Sequence, residues 1–269
     1  MSGPAATSWR RLVRARLAET ASLRDAAGLT RDLWAPARAR RFGAIVGRAR
    51  PADLVLARLL SERAATYVDI GAGTGRYAIP LARAGRTVIA VESSDAMRAA
   101  LEGSVAGLTV LAESWPLAEA RGDVVFAAHV LYLVPAVGPF LDAMTRSARR
   151  ACYVVLAGVH SDAVLDPLWR HFHGAPRAMN PTFLDAIAVL AEGGRRATFE
   201  FVPGTGGARY RSVADAIPDF RENLALDRDP ATTRELHRLL AGWLIRRGEW
   251  LRTPAAPLPT AIIRWTPRR

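Results

Sequence analysis

The stretch YVDIGAGTGRYAIPLA, Tyr67 to Ala82, places Gly71, Gly73 and Gly75 directly after a β-branched run and directly before a run with helical spacing. A strand, a tight glycine turn and a helix N-terminus gather free backbone N–H groups and the positive end of a helix dipole, so the turn suits a negatively polarised group. The dinucleotide-binding pattern requires a third glycine where Arg76 stands, and Arg76 would crowd the helix-to-strand packing which that glycine permits. A phosphate-binding P-loop requires Gly-Lys-Ser/Thr, and this chain contains no lysine. What remains is Asp69-x-Gly71-x-Gly73-x-Gly75. Taken alone, the glycines fit a tight turn and Asp69 a turn-capping carboxylate.

Outward from this turn, short apolar runs alternate with helical ones. Strand-like runs begin at Tyr67, Thr87, Leu108, Asp123 and Ala151, with helical spacing over Tyr77–Arg83, Ala96–Leu101 and Gly138–Ser147. Continuous apolar strands separated by helices predict an α/β fold with a doubly wound, mostly parallel sheet. Beyond Gly158 the rhythm breaks. Val159–Pro181 lacks a clear period and predicts an irregular or helical insertion. Helices are expected from Thr182 to Gly193, Val213 to Leu224 and Thr232 to Trp250, with strands at Ala197 and Thr260 forming a hairpin-like pair on the sheet edge. The expected division is a helical cap over 1–65 and a core over 66–269, interrupted by cap insertions at about 159–181 and 204–257.

Composition narrows the class. Half of the 269 residues are hydrophobic, enough for a sizeable core. No apolar run approaches the ~18 residues of a membrane span, and the N-terminal stretch lacks the apolar centre of a secretory signal, so a cytoplasmic protein is expected. Cys152 alone allows neither a disulfide nor a cysteine-based metal site. The net charge of +12 comes entirely from arginine and is dispersed along the chain. It makes nucleic acid an unlikely partner but does not exclude one.

The Asp69-x-Gly71-x-Gly73-x-Gly75 turn resembles the first motif of the class I S-adenosylmethionine-dependent methyltransferases, and the resemblance extends over about Thr66 to Gly158. It implies a Rossmann-like, seven-stranded sheet and S-adenosylmethionine as cofactor. Under it, Asp69, Gly71, Ala72, Gly73 and Gly75 would hold the methionine tail, with Asp69 answering the ammonium. Glu92 and Ser93, after the second strand, would meet the ribose, although an acid there also serves dehydrogenases. Glu113, Ser114 and Trp115, after the third strand, would flank the adenine; Trp115 also suits the core. His129, after the fourth strand, would face both cofactor and acceptor as a general base or as a packed side chain, and Tyr132 would position the acceptor or line its pocket.

His160, His171 and His173, with Asp162 and Asp166, read as loop residues rather than metal ligands, and no metal is expected. Trp169, Arg170 and Phe172 could form a lid over the acceptor or dock the insertion on the sheet. A second cap element is expected at Leu33–Phe42, with Arg38, Arg40 and Arg41 as weaker contacts to an anionic acceptor. The activity expected is methyl transfer to an O or N atom of a small molecule. Alternatives are an RNA methyltransferase, which the charge favours but which lacks an N/D-P-P-Y/F motif at AAHVLY, and a non-catalytic partner protein that binds adenosylmethionine. A nicotinamide-dependent dehydrogenase stands behind these.

Overall fold

The computed structural model describes residues 3–29, 53–101, 103, 105–160, 162–204, 208–254 and 258–267. The Leu33–Phe42 cap, with Arg38, Arg40 and Arg41, lies outside the described residues.

Among the described residues, the helices α1 (Pro4–Ala26) and α2 (Leu54–Leu60) precede the alternating region. There follow β1 (Thr66–Ile70), α3 (Ala78–Arg83), β2 (Thr87–Val91), α4 (Asp95–Arg98), β3 (Leu108–Leu111), β4 (Gly122–Ala128), a 3₁₀ turn at Leu131–Leu133, α5 (Val137–Ser147) and β5 (Ala148–Ala157). The remainder comprises α6 (Asp162–His173), α7 (Phe183–Glu192), β6 (Ala197–Val202), α8 (Val213–Leu224), α9 (Pro230–Trp243), the short strands β7 (Ile245–Arg247) and β8 (Trp250–Arg252), and β9 (Thr260–Trp265).

Seven strands form one sheet in the order β3-β2-β1-β4-β5-β9-β6. β1 to β5 run parallel, and β9 lies antiparallel between β5 and β6. The doubly wound, mostly parallel sheet expected from the alternation is therefore present, and the last two strands do form an antiparallel pair at the edge. The order reverses at β1/β4, which opens a crevice at the carboxyl ends of these strands, where the glycine turn and His129 both emerge.

Side-chain alternation divides the sheet into two faces. Val68, Ile70, Val125, Ala127, Cys152, Val154 and Ile263 join a core that includes Trp9 and Val13 of α1 and Ala186 and Leu190 of α7. Tyr67, Val124, Phe126, Tyr153, Val155 and Ile262 join the opposite core, with Leu59 of α2 and Leu81 of α3. Strands buried on both faces need apolar residues at every position, which is why they read as continuous runs. A third cluster unites Leu168 and Trp169 of α6, Phe220 and Leu224 of α8, Leu236 and Leu240 of α9, and Leu251 of β8. Trp169 is thus a docking residue of the insertion.

The helix expected from Thr232 to Trp250 ends early. α9 stops at Trp243, and a two-stranded hairpin pairs Arg247 with Trp250 across Gly248, whose φ is +60°. Tyr210 holds the second strand by exchanging backbone hydrogen bonds with Leu251, 3.1 and 2.8 Å. That long-range pairing is absent from a helical periodicity count.

Candidate functional site

At the tip of β1 the Gly71 N–H donates to the Val91 carbonyl at 2.8 Å, which turns the chain off the sheet. Gly71, Gly73 and Gly75 have φ of +66°, +58° and +87°, in the left-handed region that favours glycine. Their surroundings differ. A Cβ on Gly71 would lie 2.6 Å from Val130 Cγ2, and one on Gly75 would lie 2.6 Å from both Ile79 Cδ1 and Leu101 Cδ2, whereas a Cβ on Gly73 would meet nothing within 4 Å. Gly71 and Gly75 therefore allow close packing, and Gly73 borders open space.

Asp69 is buried at 2 % exposure, and one of its carboxylate oxygens, Oδ2, has no hydrogen-bond partner. The carboxylate accepts from the N–H of Ala78, the first residue of α3, so the turn-capping role is real but uses only part of the group. Burial, then the charge of Glu92, pushes the Asp69 pKa up to about 8. Nearby, the Tyr77 hydroxyl is also buried without a partner, and burial raises its pKa further while the Asp53 and Asp69 carboxylates add to the rise. Glu92 is buried as well. Its Oε2 accepts from Gly73 N–H and its Oε1 from Ser94 N–H, both at 2.8 Å, so it ties the β2 tip to the glycine turn while each oxygen keeps a further lone pair. Ser94, rather than Ser93, caps α4; Ser93 is exposed.

After β3, Glu113 and Ser114 are exposed. Trp115 is half-buried; its Nε1–H donates to the Phe140 carbonyl at 3.2 Å and its ring meets Phe140 edge-on. These contacts pack one side of the indole against the core.

His129 carries a positive φ of +60°, a conformation that costs a non-glycine residue about 1–3 kcal/mol. It is fixed by its own N–H donating to the Val155 carbonyl at 2.8 Å, which joins the tips of β4 and β5. His129 is solvent-exposed, while the protein packed around its ring partly desolvates it. That enclosure, then the charges of Arg76 and His160, pushes its pKa down to about 4. Arg76 is itself ion-paired with Asp53 at 2.9 Å. The Tyr132 hydroxyl accepts from Ala157 N–H at 2.6 Å, and burial pushes its pKa up to about 12.

The ring of His160 meets Tyr132 edge-on at 4.8 Å. Beside it Asp162 receives Arg16 at 2.8 Å, Arg177 and Asn180 at 2.9 Å, and His160 at 3.2 Å. This cluster joins α1, the β5 tip and the loop before α7, and no local pattern announced it. His171 and His173 separate: His171 pairs with Glu235 at 3.0 Å, whereas His173 contacts the Leu224 carbonyl at 2.7 Å and stacks on Trp169. Among the described residues no group of three His, Cys, Asp or Glu side chains could hold a metal ion. Val130 and Tyr77 also border the turn, and no sequence motif marks either of them. The Gly-Arg-Tyr run placed Tyr77 beside the turn, but only the fold shows that its hydroxyl lacks a partner.

The family described as methyltransferase domain matches residues 68–156. Among solved structures, a chain in the complex between the Haloferax volcanii Trm112 methyltransferase activator and a methyltransferase is similar at 14% identity and TM-score 0.53, over 87% of this chain and 96% of that one. The magnesium protoporphyrin IX methyltransferase of Synechocystis PCC 6803 with bound SAH has 14% identity and TM-score 0.51, over 82% and 84%. The YcgJ protein of Bacillus subtilis has 13% identity and TM-score 0.51, over 80% and 97%. No curated protein matches the sequence. Residues 68–156, the stretch that carries the glycine turn, Glu92 and His129, match the methyltransferase domain family, and the seven-stranded sheet around them has the fold of these solved methyltransferases.

Proposed function

We propose that this cytoplasmic enzyme methylates an O or N atom of a small molecule, with His129 as the acceptor-side base. The observation that carries the reading is His129 itself, held in a strained conformation at the β4 tip, at the carboxyl end of the sheet beside the strand-order reversal.

The donor side fits S-adenosylmethionine through the orphaned Asp69 oxygen, which calls for a cation or donor, and through the open space beside Gly73. Asp69 would hold the ammonium, the turn from Gly71 through Ala72 to Gly75 the methionine tail, Glu92 and Ser93 the ribose, and Glu113, Ser114 and Trp115 the adenine end. When bound, the cofactor supplies an electrophilic methyl group on a sulfonium. The protein contributes alignment and exclusion of water. At neutral pH the imidazole of His129 is uncharged and has a lone pair to offer. A pKa near 4 makes it a weak base, but a hydroxyl or amine becomes strongly acidic as it forms its new bond to carbon, so a weak base suffices. Tyr132, tied to Ala157, would line the pocket rather than transfer protons, because burial strengthens its hold on its own proton.

The N-terminal residues 1–65 and the insertions at about 159–181 and 204–257 are read as the cap that selects the acceptor. α1 and α6 meet through Arg16 and Asp162 next to His160, and the third core is apolar helical packing that suits a closed pocket.

The test combines calorimetry with adenosylhomocysteine and labelled-methyl profiling of a small-molecule extract. Binding of adenosylhomocysteine is expected, together with a labelled small product. His129→Ala should lower turnover about 10²-fold with donor affinity nearly unchanged; unchanged turnover removes the base role. Labelling confined to RNA, with steeply salt-dependent binding, would favour the RNA methyltransferase that the net charge of +12 suggests. Tight binding with no labelled product in any fraction would favour the non-catalytic partner protein.

A further inference from the structure

Among the described residues β6 forms one edge of the seven-stranded sheet and is hydrogen-bonded to β9 alone. Exposed edges are usually blunted by a proline, a bulge, a short strand or projecting charge. β6 pairs with β9 without a register shift over six residues, Ala197 to Val202, and contains no proline. Its one acid, Glu200, is drawn back onto Arg58 at 3.0 Å. Phe199 and Phe201 are 48% and 50% exposed although aromatic, and with Phe183 of α7 they form a ring cluster with centroids 5.0 to 5.8 Å apart. Such an edge is a template for strand addition, and isolated surface phenylalanines do not cluster in this way by default.

The sequence of the edge is complementary to itself. When two copies of β6 are set antiparallel about a two-fold axis through Thr198, Arg196 of each copy falls opposite Glu200 of the other, and Phe199 falls opposite Ala197. Arg196 thus meets an opposite charge and Phe199 a small side chain, while Phe201 falls opposite Arg195. Arg196, immediately before β6, and Glu200 are both exposed, and the pairing would move Glu200 from Arg58 of its own chain to Arg196 of the other copy. We propose that β6 is a homodimer interface: two copies of this chain join through antiparallel β6 strands centred on Thr198, extending the two sheets into one and covering the Phe183–Phe199–Phe201 cluster.

The test uses the full chain. Sedimentation velocity over a range of concentrations should show a dimer. Arg196→Glu should weaken it by roughly tenfold, since it sets like charges opposite each other at two symmetric positions, and the double variant Arg196→Glu/Glu200→Arg should restore it. Opposed residues of an antiparallel pair lie at Cα separations that a disulfide accepts. Thr198→Cys should therefore form an intermolecular disulfide under mild oxidation, with the buried native Cys152 silent; Phe201→Cys, far from its own copy in this register, should not. A monomer at every concentration overturns the proposal. So does a dimer that Arg196→Glu leaves untouched, or one in which the Thr198→Cys variant fails to cross-link.

Discussion

Asp69 carries an energetic cost that a bound ammonium would offset. A carboxyl whose folded pKa is raised favours the neutral form, so Asp69 lowers stability progressively as the pH rises from its unfolded value of 3.8 toward about 8. A cation placed against its free oxygen reverses that shift. Binding adenosylhomocysteine near pH 7 should therefore release up to one proton, seen as a binding enthalpy that varies with the ionisation enthalpy of the buffer. Asp69→Asn should abolish this dependence, and an unchanged dependence would mean that the proton comes from another group. The glycines separate into two kinds by the same reasoning. Gly75→Ala combines a positive φ with collisions at 2.6 Å and should cost about 2–4 kcal/mol in denaturant unfolding. Gly73→Ala meets no neighbour, so it should cost only about 1 kcal/mol while weakening donor affinity; equal effects on both properties in the two variants would reject this division.

Helix α1 shows how an element distant in sequence reaches the site. Its Trp9 is fully buried and donates from Nε1 to the Val134 carbonyl at 2.9 Å, just beyond the His129–Tyr132 segment. The Glu192 carboxylate of α7 accepts from the N–H groups of Ala5 and Ala6 at 2.9 and 3.1 Å, supplying the N-terminal cap that Gly3 cannot provide. Trp9→Ala should cost about 3–5 kcal/mol, read by chemical denaturation. Trp9→Phe keeps most of the packing but loses the hydrogen bond and part of the ring volume, so it should cost about half as much. If the two variants unfold at the same denaturant concentration, α1 is held by something other than the indole.

At the scale of the molecule, Asp162 links parts that no single element joins. Its hydrogen bond from His160, with the charges of His160, Arg177 and Arg16, outweighs its burial and holds its pKa down at about 2. A carboxylate depressed in the folded state contributes stability that is fully present above its unfolded pKa near 3.8 and is lost as the pH falls toward 2. Unfolding followed by denaturant titration should therefore show a loss of about 2 kcal/mol between pH 4 and pH 2 that is absent from Asp162→Asn. A variant that loses as much as the parent over that interval would place the acid sensitivity elsewhere. No described helix is long and apolar enough to cross a membrane.

The strand runs, the glycine turn and the acid after β2 were legible in the sequence because backbone sterics and two-sided burial act locally: a buried parallel strand is apolar throughout, and a left-handed turn favours glycine wherever the chain must reverse sharply. Edge pairing of β6 with β9 followed from their position at the end of the alternation. The hairpin at Ile245–Arg252 did not, since it depends on Tyr210, which lies far away along the chain. Nor could the sequence separate Gly73 from Gly75, assign Trp115 its Phe140 partner, or bring Arg16 and Asp162 together. Those outcomes depend on which side chains converge in space, and burial, desolvation and ion pairing are properties of the folded surroundings. The sequence by itself determined the sheet and the glycine turn; tertiary structure alone decided the strained His129, the orphaned Asp69 oxygen and the Asp162 junction, because each depends on which distant segments meet in space.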